Sequence, residues 1–297
     1  MNVLFGLGLE TGVDEVPALL AHADRADRDG LDLVTLSDHP YFPDRLDAYA
    51  ALGVVLGRTA TIGGAVSVTN LAVRPAPMLA RTVSSLTALA PGRVVLGVGA
   101  GGLWDDIVRL GLPRRTPGAA VRAMAEAITL IRALHGGGPP VTMHGVVDLT
   151  PSPMPCPPIW TGSGGPASLA VTGRLADGWI PGYAADWHSR RVAESRPRID
   201  EAAAAVGRDP SAITTVYNVV GPITRDPLRV TRSADDGARL GGSVTQWAAE
   251  LAEAAAGGAG GFIYHPSFTP TDIPVETLIA RWTTEVVPAA RALISTI

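Results

Sequence analysis

The chain has 297 residues, 46% hydrophobic and 18% charged, which supplies apolar material for a full core and excludes a disordered type. A net charge of −4 argues against a nucleic-acid or anionic-membrane surface as partner. All 24 basic residues are arginine, which excludes Schiff-base aldolases, pyridoxal-phosphate enzymes and P-loop NTPases, because each needs a lysine amine. Any phosphate must be held by arginine, hydroxyls or backbone amides.

Residues 3–8 (VLFGLG) read as a short apolar first strand, and Val13, Val16, Leu19, Leu20 and Ala23 then recur at helical spacing over 11–28. The opening MNVLFGLGLETG has neither a basic n-region nor a small-residue cleavage site, and no apolar run reaches the length of a membrane span. A cytoplasmic protein is expected. Residues 31–37 form the next strand, closing on Asp38-His39-Pro40, and 48–56 read as a helix. The stretch 61–102 is a βαβ unit, in which two β-branched apolar runs flank an amphipathic helix. The runs end at Ser67-Val68-Thr69-Asn70 and at Gly99-Ala100-Gly101-Gly102. In a parallel sheet both ends open on one side, so two side-chain-poor loops face each other across a cleft suited to a flat polar ligand.

Residues 103–117 read as a loop with a short helical turn, and 118–134 as a helix with Val121, Met124, Ile128 and Ile131 on its apolar side. The stretch 136–158 breaks the rhythm with GGGPP, an alternating VTMHGVVDLT and PSPMPCPP, and reads as an insertion carrying a small β-hairpin. Its Cys156, the single cysteine, has no partner thiol for a disulfide or zinc site and reads as a small loop or core residue. Strands are predicted at 158–161, 177–181, 212–220 and 261–264, with helices reaching to 175 and to 206 and spanning 243–256 and 274–293. Eight strand-like runs, each followed by helix, predict a single-domain (β/α)8 TIM barrel.

Function in such a barrel lies at the C-terminal strand ends. His39 sits at one, with Pro40 turning the chain out of helix, and either serves a bound ring as donor of a hydrogen bond or proton, or satisfies a strand-end carbonyl. The other histidines are scattered without HxH or HExxH spacing, so no metal site is expected. Gly97, Gly99 and Gly102 satisfy GxGxxG, but the glycines run into LWDD instead of opening a helix, and a dinucleotide fold is rejected. They read instead as positions where a ring system lies against backbone. Thr161-Gly-Ser-Gly-Gly-Pro-Ala, between strand and helix, is either a phosphate cradle of backbone amides or a plain glycine turn. Ser243 to Gln246 fits a capping box. Arg190, Arg191, Arg196 and Arg198 read as a solvated helix face, with a rim grip on an acidic cofactor tail as the alternative.

The ordered set LSDH, AVSVTN, RVVLGVGAGG and PIWTGSGGPASLAVTGRLADGW resembles the bacterial luciferase-like monooxygenase superfamily, in particular its branch using the deazaflavin coenzyme F420. The resemblance covers residues 3–183 strongly and the remainder loosely, through GSVTQWAAELAEAAAGGAGGFIY. It implies a TIM barrel that transfers hydride between coenzyme F420 and a small organic substrate. The alternative in the same fold is an FMN-dependent monooxygenase fed by a separate flavin reductase. Rivals from other classes are a non-catalytic flavin-binding or partner subunit, and a flavin-free barrel gripping a phosphorylated sugar at Gly164-Gly165.

Residue by residue, the resemblance implies that His39, with Asp38 before it, is the active-site histidine beside the reactive face of the flavin. Ser67-Val68 is then a non-proline cis peptide backing the ring, with Thr69 and Asn70 near the ring's polar edge. Gly99, Ala100 and Gly101 lie against its pyrimidine end, and Ser163, Gly164, Gly165 and Pro166 form the phosphate-binding turn. Two departures matter. Gly102 stands where the sugar-phosphate dehydrogenases of this branch place a glutamate, with Asp105 matching their asparagine, and their substrate-phosphate lysines have no counterpart in a lysine-free chain. Trp104, Asp105, Trp179, Tyr183 and His265 are instead the expected lining of a pocket for a less charged substrate. Family members are often dimers, so a homodimer is also expected.

Overall fold

The computed structural model describes residues 3–182, 186–233, 237 and 239–296. The chain alternates β1 (Leu4–Leu9), α1 (Val16–Arg28), β2 (Leu33–Leu36), α2 (Ala48–Arg58), β3 (Gly63–Asn70), α3 (Ala76–Leu89) and β4 (Val94–Gly99). A short α4 (Trp104–Arg109) and α5 (Pro117–Ala133) follow. The expected insertion then appears as an antiparallel hairpin of β5 (Val141–Met143) and β6 (Val146–Leu149). Alternation resumes with β7 (Ile159–Gly162), α6 (Pro166–Leu175), β8 (Gly178–Ile180), α7 (Arg190–Ala204) and β9 (Thr214–Val219). A two-strand pair, β10 (Ile223–Thr224) and β11 (Gly242–Ser243), precedes α8 (Val244–Ala256), β12 (Ala259–Tyr264), α9 (Val275–Arg281) and α10 (Val287–Ile294). The barrel closes in the order β1-β12-β9-β8-β7-β4-β3-β2, and every neighbouring pair is parallel. That is the (β/α)8 barrel the alternation predicts. Among the described residues no helix is long and apolar enough to cross a membrane.

The strand pleat sorts the side chains into two sets. Leu33, Ala65, Trp160, Ile180, Val216 and Ile263, one from each of six strands, form a separate buried cluster that fills the barrel interior. Alternate residues such as Val34, Val66 and Tyr217 face the helices and join the larger core. Burying each large apolar side chain contributes about 1.5–3 kcal/mol, so the filled interior makes a firm floor beneath the C-terminal strand ends.

Helix starts follow their capping residues. Asp47 accepts from the backbone amides of Tyr49 and Ala50 at the head of α2, and Ser189 accepts from Val192 at the head of α7. The expected Ser243–Gln246 capping box is formed at α8. The expected last helix is continuous over Val275–Ile294, with a π turn over Trp282–Val286 between α9 and α10. Pro288 lacks the amide that would bond back to Thr284, and the wider turn accommodates that loss. Arg196 is not on a solvated face: its guanidinium donates to the carbonyls of Pro210 and Ile213 and to the Thr215 hydroxyl, tying α7 to the entry of β9.

Candidate active site

The C-terminal ends of β2, β3 and β4 and the loops after β1 and β12 surround a cavity of about 550 Å³. A second cavity, of about 320 Å³, runs past the ends of β7 and β8, and the two share Ser67, Val68 and Gly162. Ser67-Val68 is therefore the wall at which a large chamber meets a narrower one. Its peptide bond is cis, and here the pairing of β3 with β4 slips between Val66 and Thr69. The bulge turns Val68 inward against the barrel cluster. A Cβ on Gly99 would lie 2.8 Å from Val68 Cγ2, one on Gly162 3.1 Å from the same methyl, and one on Gly97 2.2 Å from the Val66 carbonyl oxygen. Gly97 and Gly99 thus make room for the bulge, a reason more specific than the ring contact expected of them. Gly99, Ala100, Gly101 and Gly102 do line the large cavity, and a Cβ on Gly102 would meet nothing within 4 Å.

His39 lines the large cavity, and its partner is Tyr41, with Nδ1 2.8 Å from the phenol oxygen. Asp38 does not hold the imidazole. Its carboxylate, 1% exposed as a side chain, receives Arg74 Nε at 2.8 Å and Nη2 at 2.7 Å and the Asn70 amide at 3.1 Å. Asp38 therefore ties the end of β2 to the end of β3 while lining the same cavity as His39. Arg74 also reaches Asp47 at 2.7 Å and lies over the Tyr49 ring. The Thr69 hydroxyl is 2.6 Å from Tyr49 Oη behind the strand, so Thr69 faces the cavity with backbone, while Asn70 Oδ1 accepts from Ala72 N–H at 3.1 Å.

Burial lowers the His39 pKa from its ordinary value, with Asp38 opposing and Arg45 assisting. Burial likewise raises that of Tyr41, and the charges of Asp106 and Asp38 add to it. The imidazole is neutral and the phenol protonated near neutral pH. Arg45 pairs with Glu10 at 3.1 Å on the same wall.

The narrow cavity is lined by Ser163 and Gly164, as expected of the phosphate turn, and by Arg191 and Asn218. Ser163 is 6% exposed and its hydroxyl has no partner among the described residues. Gly165 and Pro166, both exposed, follow this turn and are not among the residues that line the cavity. The Gly165 amide donates to Ser168 Oγ at 3.2 Å in the cap of α6, and Pro166 has no amide to offer. His265 closes the large cavity, its burial pushing the imidazole pKa down to about 3, so the neutral ring donates from Nε2 to Asn218 Oδ1 at 2.9 Å. Trp179 is fully buried and donates to the Ser163 carbonyl at 2.9 Å, supporting the turn from below instead of lining a pocket. Trp104 packs toward Gly101, and Asp105 is exposed in an ion pair with Arg114. Tyr183 lies outside the described residues. Sequence reasoning missed Tyr41, Arg45 and Arg74, whereas Arg191 is one of the four arginines for which a grip on an acidic cofactor tail was the alternative reading; an aromatic two residues after the strand-end histidine was the one local signal available for the missed residues.

The family model described as luciferase-like monooxygenase matches residues 2–259. An F420-dependent glucose-6-phosphate dehydrogenase of Microbacterium testaceum is 31% identical over 207 residues, which cover 65% of this chain and 60% of that protein. An F420-dependent hydroxymycolic acid dehydrogenase of Mycobacterium tuberculosis is 30% identical over 246 residues, 77% of this chain and 65% of the relative. In both cases the chain spans less than two thirds of the relative's length. Among solved structures, an F420-dependent secondary alcohol dehydrogenase in complex with an F420-acetone adduct superposes with a TM-score of 0.77 at 19% identity, over 98% of this chain and 100% of that one, which shows the shared fold. By its barrel and by the family model that covers most of its length, the chain belongs to the luciferase-like monooxygenase family.

Proposed function

We propose that the chain is an oxidoreductase that uses this cleft to move hydride between coenzyme F420 and a small organic substrate. The observation that carries the reading is the pair of cavities that meet at Ser67, Val68 and Gly162, with a neutral imidazole lining the larger one and, lining the smaller, a guanidinium and a buried hydroxyl that has no partner among the described residues. A tricyclic ring with a sugar-alcohol phosphate tail has that outline. Ser67 and Val68 would back the ring, and Asn70 and Gly99 to Gly101 would meet its polar edge. Ser163, Gly164 and Arg191 would hold the phosphate without lysine. The similarity to proteins that use F420 supports the same choice.

When bound, the deazaflavin supplies two-electron hydride chemistry at its C5. The chain supplies the rest. His39 exchanges a proton or hydrogen bond with the substrate heteroatom, while Phe42 and Leu103 at the mouth help to exclude water. Gly102 adds space and no acid, and no lysine awaits a substrate phosphate, which favours an uncharged or weakly charged small molecule as substrate. The test is anaerobic. Protein with reduced coenzyme and a panel of ketones, imines and activated alkenes is expected to restore the visible absorbance of the oxidised coenzyme in an acceptor-dependent way. Turnover only with reduced FMN and oxygen would replace this reading with the monooxygenase.

A further inference from the structure

His39 and Tyr41 stand two residues apart on the loop leaving β2, and their side chains meet at 2.8 Å through Nδ1 and Oη. Such a contact has two possible directions, and they give the cavity opposite chemistry. If Nδ1 carries the proton, Nε2 offers a lone pair; if the phenol donates to Nδ1, the proton of the neutral ring is on Nε2. Two arguments select the second. A phenol, with an ordinary pKa of about 10, is a better proton donor than a neutral imidazole N–H, and an imidazole nitrogen is a better acceptor than a phenol oxygen. Asn70 Oδ1 is occupied by the Ala72 amide, and the hydrogen-bond partner of the Tyr41 phenol oxygen is His39 Nδ1. Asp38, the nearest anion, is committed to Arg74 and offers His39 no competing acceptor.

We propose that Tyr41 is a positioning residue that fixes His39 with its proton on Nε2, so that the site presents a hydrogen-bond donor to an acceptor atom of the substrate, a carbonyl oxygen or imine nitrogen. With Nδ1 engaged, Nε2 is the ring nitrogen left for a ligand in the cavity that His39 lines. The groups around the pair are Asp38, Arg45 and Asp106, and each is already in an ion pair. A neutral donor at this position polarises a C=O or C=N bond toward hydride acceptance, which makes a reducible carbonyl or imine compound the substrate class. The substrate class rests on the proposed hydride chemistry; the tautomer does not.

The test is nitrogen NMR of the coenzyme-free protein labelled at histidine, at a pH where His39 is neutral, in the native protein and in Tyr41→Phe. The native spectrum is expected to show the Nε2–H form, with the Nδ1 resonance shifted as an acceptor. Tyr41→Phe is expected to move the tautomer ratio about tenfold toward the mixture of a solvent-facing imidazole, the factor that one hydrogen bond of ordinary net strength supplies. A native spectrum with the proton on Nδ1, or an unchanged ratio in Tyr41→Phe, overturns the proposal. If the tautomer is confirmed and neither coenzyme binds, the loss falls on the proposed function alone.

Discussion

Alanine at His39 is expected to cut turnover by about 10²–10⁴-fold, the range lost with a positioned general acid or base. Coenzyme affinity should change by less than about threefold, since a factor of ten corresponds to about 1.4 kcal/mol. The asymmetry follows from where the side chain stands. His39 is half-buried on the wall of the wide cavity, bonded to Tyr41 in its own loop, whereas the surfaces assigned to the coenzyme come from β3, β4 and the turn after β7. Removing the imidazole leaves the Ser67-Val68 bulge, its glycine recess and the Ser163 turn in place. Steady-state rates together with fluorescence quenching of the coenzyme separate the two effects. A variant as active as the native enzyme contradicts the role of His39.

Alanine at Asp38 is expected to act on stability instead, by about 3 kcal/mol, the low end of what breaking a buried ion pair costs. The carboxylate is 1% exposed and meets two nitrogens of Arg74 and one backbone amide, so its loss strands a guanidinium that is 20% exposed and an amide at the end of β3. Arg74 keeps Asp47, whose side chain is 48% exposed, which holds the loss at the low end. The measurement is the urea midpoint of the variant against the native chain at neutral pH. An unchanged midpoint would show that Arg74 finds equivalent solvation without Asp38.

These two residues, adjacent in the chain, show how far the sequence could be read. Strand and helix periods, the strand-end glycines and the break at 136–158 are local patterns, and they led to the barrel, its open end and the hairpin. The neighbourhood of His39 was legible for the same reason, since it closes a strand. What each side chain does at the strand ends depends on partners far along the chain. Asp38 meets Arg74 36 positions on, and Thr69 meets Tyr49 20 positions back; nothing local announces either pairing. Trp179 falls on a strand and was expected in a pocket, yet it is fully buried with its indole bonded to the Ser163 carbonyl. The arginines of α7 look alike in sequence, and the fold separates them, Arg196 into a carbonyl cage and Arg191 into the narrow cavity.

The central claim is that the two adjacent cavities together hold a deazaflavin, and titration of the coenzyme-free protein with coenzyme F420 and, separately, with FMN tests it most directly. The quenching of each compound's own fluorescence is followed. Saturable micromolar binding of coenzyme F420, with FMN much weaker, is the predicted result. Tight binding of FMN alone, or of neither compound, would contradict it.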